Sequence, residues 1–77
     1  MTLQELVASI RDRLAQVGVP SPAVDAELLV SWVLGISRGE MLAAVHRGDD
    51  VAPDVIATLE PLVMRRLARE PLQHLLG

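Results

Sequence analysis

The chain has 77 residues, half of them apolar, with a single aromatic side chain and no cysteine. A chain of this length forms one domain that buries only about 60% of the surface its unfolded form exposes, and without thiols it has no disulfide framework, thiolate metal site or cysteine nucleophile. Seven arginines and no lysine leave a net charge of −3, which argues against general nucleic-acid binding. Trp32 is the only aromatic residue, so Leu, Val, Ile and Ala must fill the interior, a composition better suited to close-packed helices than to a sheet. No apolar run is long enough to span a bilayer, and the start lacks the basic-then-apolar order of a secretion signal, so a cytoplasmic, membrane-free setting is expected.

Thr2 and Glu5 have the spacing of a capping box, in which each side chain satisfies a backbone N–H left open at a helix start. Leu3, Leu6, Val7, Ile10, Leu14 and Val17 follow on one helical stripe, and Gly18 then Pro20 close the helix. Ser21-Pro22 opens a second helix, with Asp25 and Glu27 in turns where carboxylates favour the positive end of the helix dipole. Its body to Leu34 is apolar on most sides, Trp32 included, which predicts a central helix with neighbours packed around it. Gly35-Ile36 reads as a cap glycine with its apolar latch.

Ser37 and Glu40 repeat the capping-box spacing and open a short helix that ends near Arg47, before the turn chemistry of Gly48-Asp49-Asp50. A last helical region starts near Pro53 and stops by Glu70, ahead of Pro71. Pro61 lies inside it, and an interior proline both lacks a donor and clashes with the turn before it, so a kink or a break into two helices is expected. The tail Leu72, Leu75 and Leu76 has the spacing of one apolar side of a short turn or helix. The fold class is therefore all-α, a small bundle of four to five short helices with no sheet.

Chemistry is sparse. His46 and His74 each lack a second histidine at the spacing a zinc site uses, and the serines lack an activating base nearby in sequence. Asp25 and Glu27 point away from each other on a helix, so they read as dipole-stabilising groups with arginine partners. The glycines are scattered helix punctuation, without a phosphate or dinucleotide loop. No Asp-Ser-Leu triplet exists to carry a phosphopantetheine arm, which removes an acyl carrier. No catalytic, cofactor or metal residue is assigned. Arg65, Arg66 and Arg69 form the one concentrated charge cluster; with Leu72, His74 and Leu75 they are the candidate contacts to a partner or neighbouring domain.

The stretch D-A-E-L-L-V-S-W-V-L-G-I-S-R, Asp25 to Arg38, resembles a signature in the N-terminal domain of the peptide chain release factor glutamine methyltransferases (the HemK/PrmC family). The ending R-R-L-A-R-E-P-L-Q-H-L-L-G, Arg65 to Gly77, is similar to that family's interdomain segment. The resemblance runs over essentially the whole chain, with Pro61 as a departure. It implies an enzyme that transfers a methyl group from S-adenosylmethionine to the glutamine amide of a release factor's Gly-Gly-Gln loop. It also implies that residues 1–77 are a helical substrate-docking module without cofactor, with 71–77 opening the interdomain segment. The Rossmann-like catalytic domain and its Asn-Pro-Pro-Tyr motif are expected downstream, since asparagine and tyrosine are absent here. The implied partners are a release factor and the chain's own catalytic domain. A stand-alone helical interaction domain is the alternative; it requires the Leu72 to Leu76 segment to be satisfied within the fold or in an oligomer.

Overall fold

In the computed structural model, which describes residues 1–77, helix α1 (Leu3–Gln16) begins on the capping box that its sequence announces. Thr2 Oγ1 accepts from the Glu5 amide at 3.1 Å, and Glu5 Oε1 accepts from the Thr2 amide at 2.8 Å. Leu3, Leu6, Ile10 and Leu14, three or four residues apart, form its buried stripe. Helix α2 (Pro22–Leu34) comes next, with Pro22 in the first turn; the Ser21 hydroxyl makes no capping bond, so proline carries this start without its serine. Helix α3 (Arg38–Arg47) starts on the second capping box, Ser37 with Glu40.

Helix α4 (Pro53–Leu67) is a single helix through Pro61, so the break expected there does not occur. Proline at this position leaves the Ala57 carbonyl without its helical donor, but Ala57 and Pro61 both lie on the exposed side, where solvent satisfies an acceptor. On the opposite side, buried Leu59 and Val63 hold the turns before and after it against the core. Helix α5 (Leu72–Leu75) is one turn long.

All four longer helices end in the same way. One or two residues past each helix, one amide bonds three residues back and the next amide bonds five back: Gly18 with Val19, Gly35 with Ile36, Gly48 with Asp49, and Arg69 with Glu70. The first residue of each pair is left-handed, with φ between 70° and 79°. Three are glycines, for which this conformation carries no Cβ penalty. Arg69 is the exception, the only non-glycine residue with positive φ.

Helix α2 packs on α1, α3 and α4, the central place its apolar surface predicts. The core combines the α1 stripe and Val19 with Ala26, Leu29 and Val30 of α2, Met41 and Ala44 of α3, Leu59 and Val63 of α4, and Leu75 of α5. Aliphatic residues and one methionine fill it, without an aromatic ring. The expectation that neighbours cover α2 on every side fails at Trp32. That side chain is 53% exposed, with Val24 on the same side 38% exposed. The N-terminus is fastened to the α3–α4 loop by Leu3 N–H to the Asp49 carbonyl at 2.8 Å and Val51 N–H to the Met1 carbonyl at 3.0 Å. This single antiparallel bridge, Thr2 with Asp50, is the only β pairing, and there is no sheet.

Candidate functional site

The arginine cluster at the end of α4 is built into the domain by three different contacts. Arg66 reaches Asp25 in the first turn of α2, with Nε to Oδ2 at 2.9 Å, and its Nη1 donates to the Glu70 carbonyl at 3.1 Å. Both side chains of this pair are largely buried, 14% and 11% exposed. Removing one partner from such a pair leaves an uncompensated charge and costs about 3–5 kcal/mol. Arg65 lies half exposed on the outside of the helix and pairs with Glu70.

Arg69 turns the other way. Its guanidinium donates to the carbonyl of Val17, the residue that closes α1, where a cation meets the negative end of the α1 dipole. The left-handed backbone at Arg69 directs the chain into α5 while its side chain ties α4 to α1. Asp25 and Glu27 have the arginine partners their placement suggests, since Arg38 pairs with Glu27 through Nη2 at 2.6 Å.

Of the six candidate contact residues, Leu75 lies in the core and Leu72 is packed half-buried against it. Arg66 is inside, Arg65 and Arg69 lie on the surface with partners, and His74 is exposed. The apolar side of the tail thus turns into its own bundle rather than outward.

Two surface features remain. A groove of about 550 Å³ opens between the α2–α3 turn, α3 and the α3–α4 loop, with Leu34, Ile36, Val51 and Val55 among its walls and Glu40, Arg47, Asp49 and Asp50 at its edge. Every buried side-chain nitrogen or oxygen in the domain already has a hydrogen-bond partner. The second feature is the outer side of α2, where Val24, Leu28 and Trp32 fall at successive four-residue steps on one face. A methyl group added at Gly77 would stand 3.7 Å from Trp32 Cη2, so the end of α5 delivers the backbone to the indole. Reading the sequence misses this face because α2 is apolar nearly all round; the four-residue spacing of its three largest outer residues is the signal that could have found it.

The family model of the PrmC N-terminal domain matches residues 5–77. A release factor glutamine methyltransferase of Deinococcus radiodurans is 44% identical over 77 residues, all of this chain and 27% of that protein. Proteins of the same description are 40% identical over 75 residues in Mycolicibacterium smegmatis (97% of this chain, 25% of the relative) and 46% over 71 residues in Streptomyces coelicolor (92% and 23%). The chain spans about a quarter of the length of these relatives. No solved structure matches it. With the match running from the first capping box to Gly77, the chain belongs to the PrmC N-terminal domain family.

Proposed function

We propose that these 77 residues are the N-terminal, release-factor-docking domain of an S-adenosylmethionine-dependent methyltransferase. Its target is the glutamine of the Gly-Gly-Gln loop of peptide chain release factors, modified in the cytoplasm. The observation that carries this reading is the family match over residues 5–77, together with the description shared by relatives 40–46% identical to the chain. Modifying one glutamine on a folded protein requires that protein to be held in register, and a second contact surface supplies the orientation.

This domain offers S-adenosylmethionine no enclosed polar pocket: its one groove is open and mostly aliphatic. In this reading the cofactor and the chemistry belong to a downstream catalytic domain, and the helical domain contributes binding alone. Within the candidate contact set, Arg65 and His74 face outward toward a release factor or the catalytic domain. Arg66, Arg69, Leu72 and Leu75 act by holding α4 and α5 in place.

The test is transfer of labelled methyl from S-adenosylmethionine to a purified release factor, by the full-length enzyme and by the 77-residue chain separately. Transfer by the full-length enzyme alone is expected, with Arg65→Glu and His74→Glu together raising its KM for the release factor. Transfer by the 77-residue chain, or none by the full-length enzyme, contradicts the reading.

The packing of Leu72, Leu75 and Leu76 within the bundle meets the condition set by the alternative of a stand-alone interaction domain. A family match confined to one quarter of longer methyltransferases favours the enzyme reading over it.

A further inference from the structure

Trp32 is the largest side chain that the domain leaves half uncovered, at 53% exposure in a fold whose interior is completed without an aromatic ring. It is not isolated. Val24 and half-buried Leu28 continue it along the outer face of α2. The charges beside this face are neutralised within the domain, Asp25 by Arg66 and Glu27 by Arg38, so the face is apolar without a net field of its own. An exposed tryptophan continued by an apolar strip is the kind of residue that anchors an interface.

The place where the backbone leaves the bundle decides among occupants. Leu75 fixes α5 in the core, so the position of Gly77 is set by buried packing rather than by a free tail. Gly77 stands against the indole and has φ +120°, a conformation open to glycine. Residue 77 therefore hands the next residue to Trp32 already in contact. From Trp32 back to Val24 the face extends about 12 Å along the helix, at roughly 1.5 Å per residue. About four extended residues at ~3.3 Å each cover that distance. A tethered segment starting at the site also has an effective concentration no diffusing partner reaches.

We propose that the segment immediately after Gly77 in the full-length protein lies across Val24, Leu28 and Trp32. Trp32 is then the anchor that fixes this helical domain to the remainder of the protein. The inference rests on the reading of the chain as the N-terminal quarter of a longer protein, consistent with relatives of which it covers 23–27%. It does not depend on which reaction that protein performs.

Trp32 is the sole tryptophan of the 77 residues, so its fluorescence reports the face directly. In the full-length protein, its signal is the difference between the parent and Trp32→Phe. Acrylamide should quench Trp32 several-fold less in the full-length protein than in the 77-residue chain, with a blue-shifted emission. Adding Val24→Ser and Leu28→Ser to the full-length protein should restore quenching. Equal quenching in the two lengths overturns the proposal. So does shielding of the 77-residue chain that grows with its own concentration, which makes a second copy the occupant. Shielding of the full-length protein only after a release factor is added overturns it too. A full-length protein that shields Trp32 yet transfers no methyl group would sink the functional reading and leave this one standing.

Discussion

Arg69 holds a left-handed backbone conformation that the other three helix ends assign to glycine, while its guanidinium binds the Val17 carbonyl. A side chain in that conformation costs about 1–2 kcal/mol, and the bond to a helix C-terminus offsets part of it. The two contributions are separable. Arg69→Ala keeps the strain and loses the bond, whereas Arg69→Gly loses the bond and relieves the strain. Urea unfolding of the 77-residue chain should therefore find Arg69→Ala less stable than Arg69→Gly by about 1 kcal/mol. Equal stabilities would show that the backbone at Arg69 is not strained. The cluster's charge is legible in the sequence, but its use is not. The partners of Arg66 and Arg69, Asp25 and Val17, lie 41 and 52 residues away, where no local pattern reaches.

At the scale of elements, the sequence announces most helix boundaries because the starts and stops are local chemistry. Thr2 with Glu5 and Ser37 with Glu40 make the bonds their spacing implies, and Gly18, Gly35 and Gly48 end helices where a left-handed residue is needed. Pro61 misleads because a proline's effect depends on which side of the helix loses its bond. That requires knowing that Leu59 and Val63 are buried while Ala57 and Pro61 are exposed. The α4 helix still carries the missing bond and the ring's contact with the preceding turn. Pro61→Ala should accordingly raise stability by roughly 1–3 kcal/mol, seen as a higher urea midpoint with an unchanged slope. A lower midpoint would mean that proline's restriction of the unfolded chain outweighs its helical cost. The outer face of α2 is illegible for a different reason. When a helix is apolar on nearly every side, periodicity cannot tell a covered face from an open one.

At the scale of the molecule, the Cα radius of gyration is 11.4 Å, close to the roughly 11.5 Å expected of a folded domain of this length. With Leu75 buried in the core and Leu72 and Leu76 packed against it, the tail belongs to the bundle. Its surface ion pairs and caps also set the acid response. Glu5 and Glu40 are held below the ordinary carboxylate range by backbone and side-chain bonds from Thr2 and Ser37, and Glu60 by the hydrogen-bonded Arg13 guanidinium. Folded values below unfolded ones mean that the unfolded chain binds more protons as the solution is acidified. The stabilisation is complete above the unfolded carboxylate value of about 4.3 and is lost as pH falls through the lowered folded values. The urea midpoint should thus fall on acidification from neutrality into that window. Glu5→Gln, Glu40→Gln and Glu60→Gln together should flatten the fall, and a triple variant with the parent's full acid dependence would assign it elsewhere.

The role proposed for this helical domain is to position a folded release factor, with methyl transfer left to the remainder of the protein. The most direct measurement compares the full-length enzyme with a version lacking residues 1–77, on an intact release factor and on a short Gly-Gly-Gln peptide. Loss of the domain should lower kcat/KM for the release factor by at least tenfold, about 1.4 kcal/mol of transition-state stabilisation, and leave the peptide rate unchanged. An equal fall on both substrates, or none on the release factor, would contradict it.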